Sequence, residues 1–201
     1  MKHVGVEAAQ FSVEARERLD RLASLLLRWN ARINLISRAD EATLWTRHIL
    51  DSAQLVALLP PTAGTLIDLG SGAGFPGLVL AILTSWHVHL VESDQRKAAF
   101  LREAARETGT HVAIHAVRAE TLRLPPVQVV TARALAPLGE LLRLAAPLLA
   151  PGGVCLFPKG RDAEAELTAA AAGWHMRIEH VPSQTSPGAT LLRISEIRRA
   201  G

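Results

Sequence analysis

The chain has 201 residues, of which 49% are hydrophobic and 20% charged, and its formal net charge is +3. That describes one large domain, or one domain with a small appendage, able to bury a full core. Disorder is excluded, and so is a polycationic nucleic-acid coat, although a local basic face is not. The basic residues are nearly all arginine; the lysines are Lys2, Lys97 and Lys159. Arginine suits planar, bidentate phosphate contacts, but an arginine-rich chain also reflects a GC-rich genome. A single cysteine, Cys155, rules out an internal disulfide framework and a cysteine zinc cluster, and its apolar surroundings point to a buried core position. The opening residues Met1–Glu7 lack the apolar run of a signal peptide. The longest apolar stretch, Leu135–Phe157, is interrupted by Glu140, Arg143, three prolines and three glycines, so no membrane span is expected. A soluble, cytoplasmic chain is the expectation, with no internal repeat.

Two helical patterns come first. Ser12 can cap a helix in which Leu19, Leu22, Ala23, Leu26 and Trp29 recur at three- and four-residue steps. After the connector Asn30–Leu35, Asp40 can cap a second helix carrying Leu44, His48, Leu55 and Leu59, stopped by Pro60 and Pro61. From Thr65 short apolar runs alternate with amphipathic stretches, the pattern of a parallel α/β sheet. The strands expected are Thr65–Leu69, Val88–Glu92, Val112–His115, Val127–Thr131 and Val154–Phe157. The helices expected are Phe75–Leu83, Gln95–Thr108, Leu138–Leu149 and Asp162–Ala172. His175–Val181 and Thr190–Ile197 read as an antiparallel pair closing the sheet. The division expected is a helical extension, residues 1–60, packed on a core of residues 61–201.

The most informative segment runs from Leu66 to Gly77: an apolar strand, then Gly70, Gly72 and Gly74 alternating with small residues, then a helix. Glycine lets the backbone turn sharply and a ligand approach where any Cβ would clash. Gly72, Gly74 and Gly77 fit a dinucleotide fingerprint, with Glu92 twenty residues beyond Gly72 where a ribose-binding acid belongs. Asp68, Gly70, Gly72 and Gly74 equally resemble the first motif of Rossmann-like S-adenosylmethionine-dependent methyltransferases, with the same Glu92 on the ribose. A strand–helix turn with no ligand is the third reading. Three features favour the methyl donor. Asp68 suits a cationic sulfonium and ammonium but repels a pyrophosphate. There is no second domain for a dehydrogenase substrate. Pro151-Gly152-Gly153 before the fifth strand, with the terminal strand pair, resembles the methyltransferase fold: α/β, a mostly parallel seven-stranded sheet with a C-terminal antiparallel pair and an N-terminal helical extension.

A narrower resemblance follows from Trp29-Asn30-x-x-Ile33-Asn34-Leu35, His48-Ile49-x-Asp51-Ser52 and Asp68 to Gly77 with its Gly74-Phe75-Pro76-Gly77 ending. It extends through Glu92-Ser93-x-x-Arg96-Lys97, Phe100-Leu101, Arg118-Ala119-Glu120, Ala132-Arg133-Ala134 and Pro158-Lys159-Gly160. In this order and spacing they resemble the RsmG family, also called glucose-inhibited division protein B. The resemblance implies an enzyme that transfers methyl from S-adenosylmethionine to N7 of a guanine in bacterial 16S rRNA, nucleotide 527 in the helix 18 loop. It places cofactor contacts on Gly70, Phe75, Ala119, Glu120 and Arg133. Glu92 stands where an Asp is common in the family, and the carboxylate is kept. The last forty residues carry no matching motif. A methyltransferase of a different acceptor and a non-catalytic ribosome-assembly factor are the other readings.

The cofactor residues expected are therefore Gly70, Gly72, Phe75, Glu92, Ala119, Glu120 and Arg133. Phe75 is otherwise a core aromatic, Glu92 a solvated strand end and Glu120 a surface acid. Arg133 suits a carboxylate or an RNA phosphate better than a sulfonium. Guanine N7 has an in-plane lone pair and no proton to lose, so no catalytic acid or base is expected. His48 and Asp51, three apart on one helical face, are read as a packing pair rather than a catalytic one. RNA contacts are expected from Arg96, Lys159 and His48, within a wider basic set of Arg28, Arg32, Arg38, Arg47, Lys97, Arg123 and Arg161. The partner implied is 16S rRNA in the small ribosomal subunit, met by a monomer without metal or membrane.

Overall fold

The computed structural model describes residues 11–200; the opening residues Met1–Glu7 and Lys2 lie outside them. Seven strands form one sheet in the order β3-β2-β1-β4-β5-β7-β6. They are β1 (Thr65–Leu69), β2 (His87–Val91), β3 (Val112–His115), β4 (Val127–Ala132), β5 (Leu149–Lys159), β6 (Trp174–Pro182) and β7 (Thr190–Arg199). The first five are parallel, and β7 inserts antiparallel between β5 and β6. The expected antiparallel pair is present, with β7 rather than β6 next to β5. β5 is longer than expected because it begins at Leu149, ahead of the Pro151-Gly152-Gly153 run.

Helices cover both faces. They are α1 (Val13–Ile33), α2 (Asp51–Ala53), α3 (Gly77–Leu83), α4 (Gln95–Thr108), α5 (Leu138–Ala145) and α6 (Ala163–Ala171). α1 starts as expected, Ser12 Oγ accepting the Ala15 N–H at 3.1 Å. Its buried stripe, Leu19, Leu22, Ala23, Leu25 and Leu26, belongs to the same apolar cluster as Leu66 of β1 and Phe100 of α4. Arg18 fastens the two helices: Nε donates to the Thr108 carbonyl at 2.8 Å and Nη2 to Gly109 at 3.0 Å, the free carbonyls at the end of α4. Trp29 meets Phe100 edge-to-face at 5.8 Å.

The second expected helix is not one helix. Ser37, not Asp40, caps it, accepting the Asp40 N–H at 3.2 Å. The chain then runs as a 3-10 segment (Arg38–Thr43), a π turn (Trp45–Leu50), α2, and a second 3-10 segment (Gln54–Leu58). Changes of pitch of this kind redirect side chains that a regular helix would leave on one stripe. Here they fall at Arg47, His48 and Asp51, which line the cleft described below.

Candidate active site

In an open parallel sheet the ligand crevice opens at the carboxyl ends of the strands, where the strand order reverses. Here the reversal falls between β1 and β4. Gly70 follows β1, Arg133 follows β4, and both line a cleft of about 950 Å³.

The glycine loop is built from below. Asp68 is fully buried. Its Oδ2 accepts the Gly77 N–H at 3.2 Å and its Oδ1 the Thr131 hydroxyl at 2.8 Å. Burial pushes its carboxyl up to about 6, against those hydrogen bonds. Asp68 therefore ties β1, β4 and the start of α3 together from beneath, and it is not an acid facing a cationic ligand. A side chain at Gly77 would meet Leu90 at 2.5 Å and Asp68 at 2.6 Å, so helix-to-strand packing requires that glycine. Gly72 is different. Its φ is +54, and a Cβ there would find only the Gly70 carbonyl, 3.8 Å away. The surface above it is open cleft, a cradle of the sort a ligand's backbone-hugging portion occupies.

Glu92, at the tip of β2, closes this loop. Its Oε2 accepts the Gly72 N–H at 2.9 Å and its Oε1 the Asp94 N–H at 2.7 Å. It is 8% exposed, which rules out the solvated strand end. Each carboxylate oxygen keeps a second lone-pair direction. Asp94 in turn caps α4, accepting the Arg96 and Lys97 N–H groups.

Across the cleft, Arg133 joins β4 to the N-terminal segment. Nη1 donates to the Arg47 carbonyl at 3.1 Å and lies 3.5 Å from Asp51 Oδ2; Nη2 donates to His48 Nδ1 at 2.7 Å. Its guanidinium also lies 5.2 Å over the Phe75 ring. His48 stacks on Phe75 with ring centres 5.1 Å apart. Burial, and then the Arg133 charge, push the imidazole down to about 4, so it is neutral. Since Nδ1 accepts, the proton sits on Nε2, which is buried with no hydrogen-bond partner among the described residues, 3.8 Å from Asp40 Oδ2. Phe75 is thus both a core aromatic, 3% exposed, and a lining residue of the cleft.

Of the expected cofactor residues, Gly70, Gly72, Phe75 and Arg133 meet at this cleft. Glu92 bonds the Gly72 N–H of the loop rather than lining the cleft itself. Ala119 and Glu120 line a separate hollow of about 410 Å³ with Arg123 and Arg143. Of the expected RNA contacts, Arg96 is exposed beside Asp94. His48 is buried against Arg133 and Phe75, with no direct bond to Asp51 among the described residues. Lys159 lines the cleft but is 8% exposed, its ammonium donating to Glu166 Oε2 at 2.7 Å and the Ala136 carbonyl at 3.1 Å.

The C-terminal residues also matter. The β6–β7 loop brings Ser183, Thr185 and Ser186 to the cleft wall. Thr185 donates to Asp51 Oδ1 at 2.7 Å, and Gln54 accepts the Gln184 N–H at 3.0 Å. One signal was available. β6 runs parallel to β5, so the loop after it opens at the ligand edge, and its run of Ser, Gln, Thr and Pro is polar.

Sheet order, glycine cradle and cleft position together define a Rossmann-like methyltransferase. Solved structures share the fold: the ribosomal protein L11 methylase of Lactobacillus delbrueckii subsp. bulgaricus (TM-score 0.62, 16% identity, 74% of this chain and 78% of that one) and M. jannaschii TYW2 in complex with AdoMet (TM-score 0.59, 14% identity, 78% of each). The family described as GidB, rRNA small subunit methyltransferase G, matches residues 15–189. The chain is 59% identical over 196 residues to the ribosomal RNA small subunit methyltransferase G of Rhodospirillum centenum (96% of this chain, 90% of that one). It is 58% identical over 211 residues to that of Acidiphilium cryptum (98% and 97%). The chain belongs to the GidB family of rRNA small subunit methyltransferases. No helix among its described residues is long and apolar enough to cross a membrane.

Proposed function

We propose that this chain transfers a methyl group from S-adenosylmethionine to N7 of a single guanine in 16S rRNA, nucleotide 527 in the helix 18 loop. The observation that carries the donor is the open cradle over Gly72, floored by Asp68 and clasped by Glu92. When bound, the donor supplies a methyl group on a positively charged sulfur. Gly70 and Gly72 would hold its amino-acid portion, Phe75 would lie beside it, and Glu92 would accept from its ribose hydroxyls. Ala119 and Glu120, which line the separate hollow, would read the adenine edge. Arg133, charged and held by Asp51 and His48, would reach its carboxylate.

The remaining residues position and exclude water. N7 presents a lone pair and no proton, so the chain needs no general base. His48 is neutral and its Nδ1 is occupied by Arg133, in keeping with that. The residues 1–60 extension supplies one wall of the cleft through Leu35, Arg47 and Asp51, and the β6–β7 loop supplies another. Alignment between such walls is worth several kcal/mol of barrier. The target base must leave its stack to bring its Hoogsteen edge to the donor. Lys97 and the exposed Arg47, both at the cleft, would meet RNA phosphates, with the exposed Arg96 and Arg38 as further candidates.

The test is transfer of labelled methyl to small subunits from a strain lacking this gene, followed by mapping of N7-methylguanine in 16S rRNA. One new mark at nucleotide 527 is expected. A mark elsewhere moves the acceptor, and subunits bound but left unmodified establish the assembly-factor reading instead.

A further inference from the structure

The cleft has two ends. One is the glycine loop after β1. The other is formed by Pro158, Lys159 and Gly160 at the end of β5, by Glu166 of α6, and by the β6–β7 loop. A base whose N7 faces a donor seated on the glycine loop can turn its Watson–Crick edge toward that second end.

Glu166 is unusually well fixed there. Its Oε2 accepts the Leu138 N–H at 2.6 Å and the Lys159 ammonium at 2.7 Å. Lys159 is itself anchored on the Ala136 carbonyl at 3.1 Å. The second oxygen, Oε1, makes no hydrogen bond among the described residues, and the side chain is 27% exposed on the cleft wall. The result is a carboxylate locked by one oxygen with the other left as an open acceptor. A carboxylate accepts and cannot donate.

We infer that Glu166 Oε1 reads the Watson–Crick edge of the acceptor guanine, accepting from its N1–H and exocyclic amino group, with Lys159 as the residue that positions the carboxylate. This rests on the proposed guanine acceptor and goes beyond it by naming the selector. Guanine offers two adjacent donors on that edge; adenine presents a bare N1 acceptor there, which the carboxylate repels. The neighbouring ammonium balances the carboxylate charge, so the pair suits a neutral base. Methylation at N7 places positive charge on the purine and makes N1–H and the amino group stronger donors. The contact therefore tightens along the reaction, the condition for a contact to raise the rate as well as the affinity. Lys159, expected from its motif to contact RNA, acts one step back from it.

Glu166→Gln isolates the claim. The amide oxygen keeps the ties to Leu138 and Lys159, while the amide nitrogen replaces the open acceptor with a donor. The substrates are small subunits reconstituted with 16S rRNA carrying either guanine or inosine at the acceptor position; inosine lacks the amino group. For the wild type, kcat/KM is expected to fall about tenfold from guanine to inosine, the size of one lost hydrogen bond to a charged group. Glu166→Gln is expected to lose at least tenfold on guanine, to bring the two substrates within about twofold of each other, and to leave S-adenosylmethionine affinity near wild type, with the thermal midpoint lowered only by the loss of the Lys159 counter-charge. Wild-type transfer to the guanine subunit tests the underlying reading alone, and its absence overturns both. With that transfer present, unchanged guanine-to-inosine discrimination in Glu166→Gln overturns this inference by itself. So does a loss confined to S-adenosylmethionine affinity, which would place Glu166 on the donor.

Discussion

Arg133 Nη2 donates to His48 Nδ1 at 2.7 Å, joining the tip of β4 to the π turn 85 residues earlier. The bond requires a neutral imidazole, and burial holds its pKa at about 4 against an ordinary 6.5. The unfolded chain therefore takes up a proton between pH 6.5 and 4 that the folded chain refuses. This contribution to stability is whole above pH 6.5 and is lost as pH falls toward 4, by on the order of 3 kcal/mol. His48→Gln is expected to remove that dependence. Chemical denaturation between pH 4 and 7 checks it; an unchanged slope in the variant would show that His48 does not control it.

Asp68 acts in the opposite sense over nearly the same range. Its folded pKa is raised to about 6 from 3.8. The folded chain holds a proton that the unfolded chain has released, so this contribution is present below pH 3.8 and is lost as pH rises toward 6. Asp68→Asn can still accept from Gly77 and donate to Thr131. It is expected to fold, to be at least as stable as the wild type at pH 7, and to lose stability more steeply on acidification, because the His48 contribution is then unopposed. The same denaturation series checks this, and a shallower acid limb would refute it.

How much of this was legible in the sequence depends on the kind of force involved. β1, β3 and α4 were expected with the bounds the structure shows, because apolar period and caps are local properties. The glycine loop was legible for the same reason: a positive φ at Gly70, Gly72 and Gly74 needs residues that tolerate it. The composite path from Arg38 to Leu58 was not, since apolar spacing says little about helix pitch. Nor were the partners of Asp51, Glu92 and Lys159, which lie 134, 20 and 7 residues away on other elements. The motifs marked these residues without saying whether their charges face the ligand or the protein. For Asp68 the answer was the protein.

Gly72 carries the donor reading. Gly72→Val places a branched side chain at φ +54, a strain of about 1–2 kcal/mol, with its bulk in the open cradle. The variant is expected to fold with a modestly lowered thermal midpoint and to lose at least tenfold in S-adenosylmethionine affinity. Calorimetric titration decides: a wild-type dissociation constant would move the donor away from the loop.

Arg133→Lys tests whether the guanidinium is needed as a fork. A single ammonium does not reproduce the two separated nitrogens, one serving the Arg47 carbonyl and Asp51 and the other His48. Stability is expected to fall by about 1–3 kcal/mol, with weaker donor binding. Arg133→Ala is expected to cost more, about 3–5 kcal/mol, because it also leaves Asp51 short of its cation and uncovers one face of Phe75. If Lys behaves like the wild type, the fork geometry is irrelevant and only the charge matters; if Lys is as damaging as Ala, the charge without the fork contributes nothing.

Thr185 tests the C-terminal wall. Its hydroxyl donates to Asp51 Oδ1 at 2.7 Å, while Gln54 Nε2 reaches the same oxygen at 2.8 Å and Gln54 Oε1 holds the Gln184 N–H. Together with Gln54 Nε2, which also donates to Ser183 Oγ and Thr185 Oγ1 at 3.3 Å each, these bonds fasten the β6–β7 loop to the N-terminal segment, 130 residues away in sequence. Thr185→Val keeps the shape of the side chain and deletes the donor, a loss of about 1 kcal/mol locally. Amide exchange across residues 183–189 should then quicken while the strands keep their protection, since a loop held by few bonds opens without global unfolding. If the acceptor base enters at this wall, as proposed, methyl transfer to small subunits should fall severalfold with S-adenosylmethionine affinity little changed. Equal losses in both would mean that the loop orders the whole cleft, and no loss in either would mean that the wall plays no part in holding the acceptor.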